Sequence, residues 1–289
     1  TAMFNDCYFG EGSGYAYCRP YAQTTFVGCD FEAGFKMDPR AEVTFENCTI
    51  GGVALTTDNL STLVSSNIKN VVSVNGMKWV AEGVCQDIDE VFYLTSQAGL
   101  VWFADQVNVQ KNAFSGKTVK LAANIDLNNE SWTPVGQTGA TTFNGVFDGQ
   151  NYTISNLNVN SEEQTGAHYS SGLFGWVESH TAGHGHIKNV KIAGATISGH
   201  HNCGALVGYI TQETALVENC HVTGATITCT KANDDADGDK AGALIGNATV
   251  ATPVKDCTAS NSTVSAGRDA GQVIGAGKEA NVTGCSASN

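Results

Sequence analysis

Arginine and proline are scarce in this chain: three arginines, Arg19, Arg40 and Arg268, and four prolines serve 289 residues. Lysine and arginine together number 15 against 28 aspartates and glutamates, giving a formal net charge of −13 and a pI near 4.8. Nucleic acid and anionic membranes are bound through clustered cations, so this balance argues against both as main partners. No apolar run approaches the ~18 residues that a membrane-spanning helix needs. No Cys-x-x-C pair exists, and none of the seven histidines is followed by glutamate. The usual zinc-finger spacing and the His-Glu-x-x-His metalloprotease helix are therefore missing.

What the chain does have is glycine, 33 residues of it, with 42% hydrophobic and only 15% charged residues. That profile suits a tight-turning β protein with a sizeable core. Ten cysteines would mark a disulfide scaffold in a small secreted chain. This chain is neither small nor short of core, so the count does not decide the redox compartment.

One six-residue phrase recurs: apolar, any, Asn/Asp/Gly, Cys/Val/Leu, any, apolar. It starts at Phe4, Phe26, Phe45, Ile154, Ile187, Val217, Val254 and Val282, with a looser copy at Ile68. Its third column, Asp6, Gly28, Asn47, Asn70, Asn156, Asn189, Asn219, Asp256 and Gly284, holds the residues that tolerate left-handed backbone most readily. Each copy reads as two short strands meeting at a corner. A second phrase, GLFGWV at Gly172, GALVGYI at Gly204, GALIGNA at Gly242 and GQVIGAG at Gly271, reads as a buried strand between glycine turns. A third run, GATIS at Gly194, GATIT at Gly224 and NSTVS at Asn261, follows the corner, giving three strands per repeat. The strands recur while the loops vary in length, as expected of an all-β, right-handed parallel β-helix, a solenoid. A β-propeller needs roughly 40–45 residues per blade, and Phe4, Phe26 and Phe45 lie too close for that.

Short-turn coils are expected over 1–72 and longer β-helix coils over 118–289. The intervening 73–117 is expected to hold a hairpin at Asn75-Gly76 and one amphipathic helix, about 95–108. Thr95 or Ser96 can cap that helix, and Leu100, Phe103, Ala104 and Val107 share one face. Such a helix would cap an open solenoid end, where strand edges and core lie bare.

FSGKTVKLAANIDLNNESWTPVG (114–136), FNGVFDGQNYTISNLNVN (143–160) and the GLFG/GALVG/GALIG series resemble the GLUG-motif repeat proteins of bacterial surfaces. These occur beside adhesins and as non-catalytic regions of IgA-peptidase-like proteins. The resemblance spans about 94–289 and implies a parallel β-helix on an exported bacterial protein, at the cell surface or outside it. It carries over no catalytic residue.

Candidate chemistry is thin. The cysteines of the repeated phrase, Cys7, Cys29, Cys48, Cys220, Cys257 and Cys285, would stack at strand spacing with parallel Cβ directions, a poor disulfide geometry. They read as small buried hydrophobes, in a slot that Leu157 and Val190 share. Asn233, Asp235, Asp237 and Asp239, with Gly238, copy the first half of a calcium loop. The position where such a loop places its bidentate Glu is Leu244, and the competing reading is a solvated acidic loop. His184 and His186 could face one side of a strand and hold a metal with a carboxylate; His180, His200 and His201 sit in similar polar loops. Asp126, Asp148 and Asp256 are the carboxylates considered for a hydrolase, and each falls in a recurring structural slot.

Two functions follow. The favoured one is a non-catalytic exported surface module, an adhesin-like scaffold touching host or bacterial glycan or protein. The other is a carbohydrate-active β-helix enzyme, a polysaccharide lyase or glycoside hydrolase. A solenoid beginning and ending within its hexad coils would leave raw edges. It is therefore expected to be a fragment of a longer protein, or to have its ends covered in an oligomer.

Overall fold

The computed structural model describes residues 1–10, 17–64, 68–162, 169–179, 184–211, 214–230, 239–248, 251–277 and 281–288. It divides into two units, Thr1–Phe92 and Tyr93–Asn289. The chain is all-β with parallel sheets, and helices are few and short.

In the first unit Ala2–Asn5, Thr24–Val27, Val43–Glu46 and Val71–Val74 form a four-stranded parallel sheet. Its register aligns Phe4, Phe26 and Phe45, whose rings stack at 5.3 and 5.5 Å. A second sheet runs through Tyr8–Phe9, Asp30–Phe31 and Thr49–Ile50, and Val53–Ala54 closes it antiparallel. Phe26, Phe31, Phe45, Met37, Leu55 and Leu60 belong to one buried apolar cluster. Each such side chain contributes roughly 1.5–3 kcal/mol on burial.

In the second unit successive repeats supply one strand each to five sheets. The repeat containing Asn189 is representative: His186–Lys188, Lys191–Ala193, Thr196–Gly199, Asn202–Gly204 and Val207–Ile210. Each pairs in parallel with its equivalent in the next repeat: Leu216–Glu218, His221–Thr223, Thr226–Cys229, Lys240–Gly242 and Ile245–Ala248. A full repeat such as this one therefore holds five strands where the phrases suggested three. The GALVG phrase is not one strand but a bend between two. A Cβ on Gly204 would lie 2.7 Å from the Gly246 nitrogen, and one on Gly208 2.7 Å from the Ser171 nitrogen. Only glycine lets the two arms close on each other and on the adjacent repeat.

The corner column is correct in kind and wrong at two members. Asp6, Asn47, Asn189, Asn219 and Asp256 have φ between 49 and 55°, and Gly28 and Gly284 have 58 and 65°. Asn70 does not belong: it ends a 3₁₀ turn, Ile68–Asn70, and the left-handed residue beside Asn47 is Asn75. Asn75 also turns the tight bend in which Val74 and Met77 exchange backbone hydrogen bonds. Asn156 is left-handed but occupies a second corner, stacked with Gly194, Gly224 and Asn261. Leu157 therefore stacks with Ala195 and Ala225, and the residue in register with Val190 and Cys220 is Tyr152.

The helix spans Gln97–Asn108, with the Ser96 hydroxyl accepting from the Gly99 nitrogen at 3.4 Å. Its buried face is Leu100, Phe103, Ala104 and Val107 with Gly99. Phe103 stacks on Phe147 at 5.7 Å and meets Phe114, Phe143 and Phe174 edge-on, joining the helix to the core of the second unit.

Candidate functional site

Outward-facing side chains form columns, because in-register parallel strands stack equivalent residues at about 4.8 Å. One column reads Lys120, Asp148, Lys188, Glu218, Lys255, alternating in sign at every step. Lys188 Nζ lies 3.8 Å from Asp148 Oδ2, and Lys120 Nζ sits 5.6 Å above the Tyr93 ring. His186, on the same strand as Lys188, places Nε2 at 3.1 Å from Glu218 Oε1.

Corner side chains build a second ladder. The Asn219 amide donates to Asn189 Oδ1 at 2.7 Å, and the Asn189 amide donates to Asp148 Oδ1 at 2.9 Å. Burial pushes the Asp148 carboxyl up, but the Asn189 amide, the Gln150 backbone N–H and Lys188 outweigh it and hold it below the usual carboxylate value. Asp126 is also lowered, by the Asn128 backbone N–H at 2.8 Å and then by the Asn156 amide at 2.8 Å. Both are committed acceptors, ionised at neutral pH and unsuited to donating a proton. Burial lowers His186 below the ordinary imidazole value, with Glu218 opposing. His221, lowered by burial and by Lys191, bonds to Thr258 through Nδ1 and to Asn219 through Nε2.

His184 and His186 do not converge. His184 Nδ1 lies 3.4 Å from Ser115 Oγ, whereas His186 turns to Glu218. His200 bridges the Thr230 and Glu162 carbonyls, and His201 is buried. Of the calcium-like stretch, Asn233, Asp235 and Asp237 lie outside the described residues, as does His180. Asp239 is buried, with its backbone nitrogen on the His200 carbonyl at 3.2 Å. Among the described residues no three of His, Cys, Asp and Glu gather closely enough to hold a metal ion.

The cysteine column has a bonding role that its apolar neighbours in sequence concealed. In all six, Cys7, Cys29, Cys48, Cys220, Cys257 and Cys285, Sγ donates to the carbonyl two residues earlier, at 3.1 to 3.5 Å. The thiol both fills the corner and serves a carbonyl beside the left-handed residue. These six are free thiols, as are Cys85, Cys203 and Cys229. Burial raises Cys29, Cys48 and Cys220, keeping them protonated as donors.

A face between the two arms of the glycine bend was not singled out by any motif. Trp176, Tyr209, Asn247 and Ala276 form one of its columns, and Ser170, Asn202, Lys240 and Asp269 the other. Trp176 and Tyr209 are half-buried and meet edge-on at 4.5 Å. At one end of the face is a cleft of 460 Å³ lined by Lys240, Asn247, Arg268, Asp269 and the Gly275–Gly277 backbone. Strand alternation plus the repeat of the glycine phrase would have found these columns had that phrase been read as two strands.

No helix among the described residues is long and apolar enough to cross a membrane. No protein-family model matches the chain, and no curated protein matches it. One solved structure, from Bacteroides ovatus and described as a "putative immunoglobulin A1 protease", is similar at a TM-score of 0.46 and 14% identity. The match covers 70% of this chain and 76% of that one.

Proposed function

We propose that the chain is a non-catalytic exported surface module: a right-handed parallel β-helix serving as an adhesin-like scaffold for glycan or protein contact. One observation carries the reading. The polar and charged side chains of its outward columns and corners bond to one another, Asp148 with Asn189 and Lys188, His186 with Glu218. Such ladders make a rigid, regularly spaced lateral surface, suited to weak multivalent contact. The GLUG-type phrases support placement on a bacterial surface, and within that reading 1–72 and 118–289 are the solenoid stretches, with the helix as a cap.

The test is a glycan-array and cell-surface-protein binding screen run beside a polysaccharide depolymerisation assay. Retention of a glycan or protein without release of new chain ends is expected. Cleavage of any polysaccharide would convert the module into the carbohydrate-active enzyme, and absence of all binding would remove the scaffold reading.

A further inference from the structure

We propose that Cys203 and Cys229 form a latent disulfide site, converted by thiol–disulfide exchange with a small disulfide of the oxidised glutathione class into a bond between neighbouring repeats. The site lies in the interior of the second unit, so it is independent of what the outward columns bind.

Two interior columns face each other here. One runs Gly199, Cys229, Ala266 and the other Ser171, Cys203, Ala241, Ala270, each in strand register. Ser161 heads the first column, its nitrogen on the Ser198 carbonyl, and its hydroxyl bonds to that of Ser171 across the gap. The columns are therefore within side-chain reach of each other. A Cβ on Gly199 would lie 3.2 Å from Cys203 Sγ, so that sulfur takes the space the glycine leaves. Cys229 is the strand partner of Gly199 in the next repeat, about 4.8 Å along the column. The two thiols thus meet on a diagonal and are in hydrogen-bond contact. That contact and burial hold the Cys203 thiol well above its ordinary value, with Ser171 opposing. Cys229 Sγ also donates to the His201 carbonyl at 3.3 Å.

The diagonal is what the corner thiols lack. Cys220, Cys257 and Cys285 follow one another in a single column, where Cβ directions run parallel, and each Sγ is engaged by the carbonyl two residues earlier. Cys203 and Cys229 belong to different sheets that face one another, so their side chains converge. Both are buried, at 0 and 2% exposure, which assigns the exchange to folding, before the two repeats close. One thiol, deprotonated, attacks a sulfur of the oxidant, breaking its S–S bond and leaving a mixed disulfide and one thiolate. The other protein thiolate then attacks the protein sulfur of the mixed disulfide and releases the second oxidant thiolate. Two protein thiols are oxidised to one disulfide, and one oxidant disulfide is reduced to two thiols that carry off the two protons.

To test this, the fully reduced chain is refolded from urea in mixed reduced and oxidised glutathione, and a second sample is secreted into the oxidising periplasm of a bacterial host. Folded material from each is alkylated under denaturing conditions and its modified thiols are counted by intact mass. At least one sample is expected to lose two of its ten alkylation sites, and peptide mapping should place the bond between Cys203 and Cys229. Cys203→Ala and Cys229→Ala should each restore alkylation of every remaining cysteine, whereas Cys220→Ala should keep the bond. Alanine already occupies both columns at Ala241 and Ala266, so these variants should fold, and melting temperature checks that they do. Full alkylation in both samples overturns the site. So does a bond joining column neighbours such as Cys220 and Cys257, or one that survives Cys203→Ala. None of these outcomes bears on the scaffold, which the binding screen decides.

Discussion

At the scale of single residues, the corner is a backbone demand met by a small set of side chains. Asn219 combines the two contributions found there, a left-handed φ of 49° and an amide that donates to Asn189. Asn219→Ala is expected to cost about 2–3 kcal/mol, roughly 1–2 from forcing an alanine left-handed and about 1 from the lost hydrogen bond. Asn219→Gly removes only the second contribution and should cost about 1 kcal/mol. Urea midpoints for the two variants check this. Equal loss in both would show that the amide ladder, not the backbone, governs the position. The corner residues were legible because Asn, Asp and Gly announce left-handed backbone. The cysteine next to them was legible only in its size. Its hydrogen bond to the carbonyl two residues back needs the corner's actual path, as the common donation from Cys48 and Cys220 makes plain.

At the scale of elements, strand existence was readable and strand grouping was not. The hexad at Ile154 fits the same pattern as the one at Ile187, yet it turns a different corner, because the polypeptide meets two left-handed bends per repeat and both accept Asn. Only the register Ile154↔Ile192 separates them. The bend inside the glycine phrase was hidden for a related reason: close approach of backbone to backbone, as at Gly208, is not announced by any side chain. The helix was the easy element, since a 3.6-residue period survives without knowledge of partners. Its anchor, Phe103, is wholly buried among Phe114, Phe143, Phe147 and Phe174. Phe103→Ala should destabilise the second unit by about 3–5 kcal/mol. Phe103→Leu, keeping most of the volume, should cost much less, and thermal unfolding of the two variants separates loss of packing from loss of ring contacts.

At the scale of the whole molecule, the titrating groups predict a stability maximum near neutral pH. His186 and His221 are lowered in the folded state. Between their folded values and about 6.5, the unfolded chain binds more protons. The stability they contribute is present above that range and is lost as pH falls through the folded values. Asp148, also lowered, adds a second loss at more acidic pH, present above the ordinary aspartate value of about 3.9 and lost as pH falls through its depressed one. The raised thiols act at the other limb: Cys29, Cys48 and Cys220 contribute stability below the ordinary thiol value of about 8.5 that is lost as pH rises through their elevated values. Acidification toward the pI of 4.8 also relieves repulsion on a chain of net charge −13. Exposed charges farther apart than about 8 Å are largely screened at physiological salt, so the buried and half-buried groups decide the sign there. His186, His221 and Asp148 all belong to the second unit. The acid limb should therefore appear in that unit, reported by Trp102, Trp132 and Trp176 once Trp79 is replaced by phenylalanine. Urea titrations of Trp79→Phe at pH 7.5, 6, 5 and 4 should show the midpoint falling already between the first two. His221→Gln, which keeps a neutral hydrogen-bonding side chain, should reduce that first drop. A midpoint that rose steadily toward the pI would mean that net charge, not the buried titrating groups, controls the fold.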